Sequence, residues 1–270
     1  MTGMSLSPLK QAFLALQEAD GRLAALEAEK AERNDSIAVV GLGCRFPGMS
    51  SASPDSLWTL LETAGDAVGA GLPQRWAALG VDAAEAPELA AYAALLETPD
   101  QFDAGFFGIS PREAAGMDPQ QRLLLEVAWE ALEHAGISPA SVYGGRGGVF
   151  VGISSSDYSM LSLAAISPAD IDGHFGSGNA HSMAAGRLSY LLGLHGPSLA
   201  IDTACSSSLV AVHLAGEALR RGECDLALAG GVNLILSSEA SRTFARAGML
   251  SASGRCRSFS WGADGFVRGE

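Results

Sequence analysis

The sequence lacks most of what marks a nucleic-acid binder, a membrane protein, a secreted disulfide scaffold or a metal centre. Its 17 Lys and Arg stand against 30 Asp and Glu, a formal net charge of −13. There is no basic surplus from which to build the phosphate-neutralising patches that nucleic acids require. Every apolar run falls short of the ~20 residues that a bilayer-spanning helix needs. The N-terminus carries no basic region followed by an apolar one and a cleavage site. We therefore expect neither nucleic acid nor membrane as a partner, and a cytoplasmic location. Cys44, Cys205, Cys224 and Cys256 form no CxxC pair and no Cys/His cluster of zinc spacing. Neither a disulfide framework nor a metal is implied, and four reduced thiols are expected.

What is present is a globular composition. The chain has 270 residues, 48% of them hydrophobic and 17% charged, enough for one large domain or two small ones. One stretch carries chemistry: Ile201-Asp202-Thr203-Ala204-Cys205-Ser206-Ser207-Ser208-Leu209. Upstream, Ser198-Leu199-Ala200-Ile201 is short and apolar, as in a buried strand. Downstream, Leu209, Val210, Val212, Leu214, Ala215, Ala218 and Leu219 recur at helical spacing. The turn between them sets Cys205 near a helix N-terminus, where unpaired N–H groups and the helix dipole favour the reactive thiolate. Small neighbours leave room for a substrate. The alternative is that Cys205 is a small buried hydrophobe.

The rest of the chain reads as strands alternating with helices. Residues 6 to 33 place Leu6, Leu9, Phe13, Leu16, Leu23 and Leu26 on a roughly helical stripe, broken at Asp20 and Gly21. This predicts a short pairing helix rather than a long coiled coil, or a solvated amphipathic leader, with a hinge at Asn34-Asp35. Ile37-Ala38-Val39-Val40 predicts a strand opening into Gly41-Leu42-Gly43-Cys44-Arg45-Phe46-Pro47-Gly48. The third glycine and Pro47 are misplaced for a dinucleotide loop, so a tight surface turn is expected instead. Residues 64 to 100 are weakly patterned, and Phe102 to Pro111 predict a packed loop. Asp118, Pro119 and Gln121 predict a capping box ahead of a helix whose buried face is Leu123, Leu124, Val127, Ala128, Ala131, Leu132 and Ala135. His134 in its last turn is expected to interact with the helix dipole. Further strands are expected at 147–153 and 225–235, with a helix over 179–192. The alternation indicates an α/β sheet with helices on both faces.

Four stretches laid side by side resemble the ketosynthase domain of modular type I polyketide synthases, a thiolase-fold β-ketoacyl synthase. They are the glycine-rich stretch through Gly48, Phe107-Gly108-Ile109-Ser110-Pro111-Arg112-Glu113-Ala114, Asp118-Pro119-Gln120-Gln121-Arg122-Leu123-Leu124-Leu125-Glu126, and Asp202 to Leu209. The resemblance covers residues 36–270 and implies the N-terminal half of a thiolase-like layered α/β fold, a mixed sheet between helices. It implies that Cys205 takes an acyl chain as a thioester from the phosphopantetheine of an acyl carrier protein, with its own backbone N–H in the oxyanion hole. A decarboxylative Claisen condensation with a malonyl-type extender then follows. It implies no directly bound cofactor, a homodimer formed around the nucleophile, and a docking helix at residues 1–33 for the C-terminal segment of an upstream synthase.

Departures from the family pattern sharpen this. The two catalytic histidines and the lysine of the family belong to a second half, so the chain is expected to be truncated before them and incompetent for condensation alone. His134, His174, His181, His195 and His213 do not take their places, and each is expected to be a surface or packing residue. The loop over 81–98 is shorter than in the family, and Ser260 replaces an Asp. A catalytically inactive docking fragment is the alternative function. A cysteine hydrolase would need a base beside Cys205, for which the sequence offers no candidate.

Overall fold

The computed structural model describes residues 8–32, 36–70, 72–78, 80 and 92–270. Among these, the strands in chain order are β1 (Ala93–Ala94), β2 (Gly147–Gly152), β3 (Ser198–Ile201), β4 (Leu226–Gly231) and β5 (Arg268–Gly269). The helices are α1 (Pro8–Glu32), α2 (Pro54–Glu62), α3 (Leu72–Ala78), α4 (Pro111–Gly116), α5 (Pro119–His134), α6 (Pro139–Val142), α7 (Asp157–Ala165), α8 (Gly173–Asn179), α9 (His181–Leu191), α10 (Ser207–Arg220) and α11 (Glu239–Arg246).

The period-two alternation of β2 builds the layers. Val149, Val151 and Ile153 point to one face and pack with Leu125 and Leu132 of α5 and with Ala184, Ala185 and Leu188 of α9. Phe150 points to the other face and joins Ala211, Ala215 and Ala218 of α10. β2 is the central strand of a three-stranded sheet in the order β3-β2-β4, parallel on both sides. A strand covered on both faces needs apolar residues at every position, and all six residues of β2 are buried. The short β1 and β5 pair in parallel elsewhere. The mixed character implied by the resemblance is confined, among the described residues, to one antiparallel bridge between Gly69 and Ala93.

Some elements differ from their sequence-based expectation. Ile37 to Val40 is extended but joins no strand, and Val39 is 79% exposed. The segment instead lies along α5: a Cβ on Gly41 or Gly43 would run into the carbonyl oxygens of Ala131 and Val127. Close approach to a helix, not a tight turn, is what these glycines permit. The helix expected over 179–192 is present as α9, which starts after Ala180, whose φ of −71° and ψ of 128° also end the preceding α8. The strand expected to reach residue 235 ends at Gly231, and Leu234 and Ile235 are buried outside any strand.

The cap of α5 is half of the expected box. Asp118 accepts from the Gln120 N–H at 2.8 Å, but its own N–H donates to the Gly178 carbonyl. Gln121 reaches Gly178 and Ala180 rather than turning back. His134 accepts a bond from the Leu42 N–H at Nδ1, 3.3 Å, tying the glycine-rich segment to the end of α5. The packed loop holds as expected: Phe102 stacks on Phe107 at 5.3 Å, and Phe106 meets Trp129 edge to face at 4.9 Å. Helix α1 covers most of the leader, with Leu14, Leu16, Leu23 and Leu26 exposed. Leu6 and the hinge at Asn34-Asp35 lie outside the described residues, as does most of the 81–98 loop.

Candidate active site

Cys205 sits where the C-terminal end of β3 meets the N-terminus of α10, in a single 3-10 turn over Ala204–Ser206. It is exposed and lines a cleft of about 870 Å³. The turn is sharp because Ala204 adopts φ +55°, a left-handed conformation in which an L-residue is strained. Hydrogen bonds hold it from both sides. Asp202 accepts from the Ala204 N–H at 3.0 Å. The Ser207 hydroxyl accepts from the Thr203 N–H at 2.9 Å and donates to the Ala204 carbonyl at 2.7 Å. Thr203 and Ser206 hydroxyls meet at 2.8 Å. Among the described residues no group accepts the Cys205 N–H, which leaves it as a free donor beside the sulfur at the positive end of α10.

Two glycines let α10 come this close to the sheet. A Cβ on Gly152 would stand 2.8 Å from the Ser207 carbonyl carbon and the Ser208 nitrogen, and one on Gly231 would stand 2.8 Å from the Ser208 Cβ. Both lie at the C-terminal ends of parallel strands, where ligands of open α/β sheets bind. The small residues around the cysteine therefore do two jobs: they seat the helix and keep the cleft open.

The segment Ser154 to Asp157 also lines the cleft. The Asp157 carboxylate, 4% exposed, accepts from the Leu236 and Ser237 N–H groups at 3.0 and 2.9 Å. Ser155 is gripped by Gln120, whose carboxamide donates to its carbonyl at 3.2 Å and accepts from its hydroxyl at 2.9 Å. His181 Nε2 lies 3.1 Å from both the Ser155 carbonyl and the Ser156 hydroxyl. Sequence reasoning placed His181 among surface or packing residues and missed this role in fixing a cleft wall. Burial pushes the Asp118 carboxyl up, partly offset by its bonds from Gln120.

Beyond these, Arg268 bonds Ser241 at 2.6 Å and stacks over Phe244, and burial draws its guanidinium down. Glu270, its side chain fully buried, accepts from Arg75 at 2.8 Å and from the Leu96 and Ile235 N–H groups, each at 2.8 Å. Cys44 also lines the cleft, with its thiol raised by burial and by Glu130; Cys224 is buried, and its thiol is raised by burial and by Asp225 and Glu223. The four cysteines are free, and His213, on α10, is exposed. Among the described residues no three His, Cys, Asp or Glu converge as metal ligands.

An exposed cysteine on a strained strand-to-helix turn in a layered α/β fold restricts the choice of family sharply. A family model described as the N-terminal domain of β-ketoacyl synthases matches residues 34–270. The chain belongs to that family. As a β-ketoacyl synthase N-terminal domain it is 51% identical, over 243 residues, to one of the proteins that make up the phenolphthiocerol/phthiocerol polyketide synthase of Mycobacterium tuberculosis, covering 87% of this chain and 13% of that protein. Another protein of the same M. tuberculosis synthase is also 51% identical, over 87% of this chain and 15% of its own length. Among solved structures, the ketosynthase from module 6 of the bacillaene synthase of Bacillus subtilis 168 superposes with a TM-score of 0.74 at 39% identity, over 87% of this chain and 38% of that one. The oxazolomycin ketosynthase domain of Streptomyces albus JA3453 superposes with the same TM-score of 0.74 at 37% identity, over 87% and 42%. This chain thus spans about an eighth of the length of these synthase proteins and about two-fifths of the solved ketosynthases. No described helix is long and apolar enough to cross a membrane.

Proposed function

We propose that the chain supplies the acyl-accepting part of a polyketide ketosynthase, with Cys205 as nucleophile. The observation that carries this is the exposed thiol on the left-handed turn that lines the cleft, beside its own unpaired N–H. The Cys205 thiolate attacks the carbonyl of an acyl thioester presented on the phosphopantetheine of an acyl carrier protein. The negative charge of the tetrahedral intermediate forms next to the Cys205 N–H and the N-terminus of α10. Collapse expels the pantetheine thiolate and leaves the acyl group on Cys205. Decarboxylative condensation with a malonyl-type extender belongs to a complete ketosynthase, of which this chain matches two-fifths. No described histidine reaches the Cys205 thiol.

Partners follow the same reading. The substrate arrives on an acyl carrier protein, in the cytoplasm, and no cofactor is held directly. β3 has one edge free of any strand among the described residues, with Leu199 44% and the nearby Tyr190 88% exposed, which suits pairing with a second copy. Helix α1, the described part of the 1–33 leader, offers its exposed leucines to the C-terminal docking segment of an upstream synthase, separately from the 36–270 catalytic part.

The test is acyl loading. Incubated with an acyl-pantetheine thioester, the protein gains one acyl mass on the peptide containing Cys205, and Cys205→Ala gains none. Loading on another cysteine, or undiminished loading of the variant, overturns the assignment.

A further inference from the structure

The sulfur of Cys205 is aimed by a turn that is unfavourable in itself. Ala204 at φ +55° costs about 1–2 kcal/mol relative to a right-handed conformation and persists only where its surroundings impose it. Asp202 holds the Ala204 N–H at 3.0 Å, and on the carbonyl side the constraint comes from one side chain. Ser207, 7% exposed, bridges the turn with a single oxygen, accepting from Thr203 N–H at 2.9 Å and donating to Ala204 C=O at 2.7 Å. The same carbonyl also accepts the Ser207 backbone N–H. Ser207 cannot relax away, because its backbone and Cβ are packed against Gly152. The residues before and after Cys205 are thereby tied through an atom that is itself anchored to the sheet.

We infer that Ser207 is a positioning residue for Cys205: its hydroxyl holds the left-handed turn at Ala204 and so aims the thiol at the acyl carbonyl. This rests on the acyl-acceptor reading of Cys205. The Ser207 hydroxyl is engaged by the backbone of Thr203 and Ala204 and makes no hydrogen bond to the Cys205 sulfur. Without its hydroxyl, Thr203 N–H loses its partner and Ala204 relaxes toward a right-handed φ, carrying the thiol off line. A misplacement of about 1 Å costs up to about 100-fold in rate. Glycine adopts a left-handed φ without strain, so Ala204→Gly removes the need for the clamp.

The experiment follows acylation of Cys205 by a hexanoyl-pantetheine thioester, using intact mass and peptide mapping, for wild type, S207A and S207A/A204G, with melting temperatures alongside. S207A is expected to load about 10- to 100-fold more slowly at saturating thioester. S207A/A204G is expected to recover most of the loss, a rescue that a merely structural serine has no reason to show. If S207A does not fold, Ser207→Gly, which also removes the hydroxyl and adds neither bulk nor a second thiol, takes its place in both backgrounds. Wild-type loading with S207A equally fast overturns the inference alone. So does a slow S207A that A204G leaves unimproved. No loading of wild-type Cys205 overturns the acyl-acceptor reading, and the inference with it.

Discussion

Gly152→Ala is a direct test of how the turn carrying Cys205 is seated, and Gly230→Ala is its control. The two residues lie on neighbouring strands, and both have ordinary negative-φ backbone. Replacing either by alanine lowers the entropy of the unfolded chain by a similar amount, worth about 0.4–1 kcal/mol. That contribution cancels in the comparison. What differs is the space: a Cβ on Gly230 meets nothing within 4 Å, whereas one on Gly152 stands 2.8 Å from two backbone atoms of α10. Backbone cannot rotate aside, so α10 must move outward by about half an ångström or more to reach an ordinary contact, and overpacking of this kind costs about 1–3 kcal/mol. For a domain of this size each kcal/mol moves the melting temperature by about 2–4 °C, so G152A should melt about 2–12 °C below G230A. Thermal unfolding by circular dichroism measures the difference, and acyl loading of Cys205 should slow in G152A as the turn shifts. Equal melting temperatures for the two variants would refute the argument that close approach of α10 to the sheet requires glycine at 152.

Other expectations are independent of that one. Arg75→Ala leaves the buried Glu270 carboxylate with only two backbone N–H partners and should cost about 3–5 kcal/mol, read from chemical denaturation. Asp118 has its folded pKa raised by burial, so its contribution to stability is present at low pH and is lost as pH rises through the folded value. The melting temperature of Asp118→Asn relative to wild type should therefore climb as pH rises from about 4, the ordinary carboxylate value; a difference that is flat or falls with pH contradicts this. With iodoacetamide near neutral pH, the exposed Cys205 should react ahead of Cys44 and Cys224, whose thiols burial raises, as followed by mass spectrometry of the modified peptides. Faster labelling of Cys224 than of Cys205 would count against the placement of both.

The local features of this protein were legible in its sequence. Ser198 to Ile201 followed by Asp202 to Ser208 specifies a strand, a turn and a helix start through composition and spacing alone, and the structure has that order with Cys205 at the bend. Asp118-Pro119 starts α5 as expected, because the cap acts within one turn. Features that depend on a partner distant in the chain were not legible. Gln121 and the Asp118 N–H, which local rules pair with one another, turn instead to Gly178 and Ala180 some sixty residues away. Ile37 to Val40 has the composition of a strand, but strand pairing is a property of two segments, and here its neighbour is the flank of α5. His181 looked isolated in sequence and proves to hold Ser155 and Ser156 in the cleft wall. Propensity and capping act over a few residues, and they were enough to stand a cysteine at a strand-to-helix turn. How that cysteine is seated came from packing, because the glycine seats at 152 and 231, against which the locally closed Ser207 bridge is held, exist only once β2, β4 and α10 are brought together.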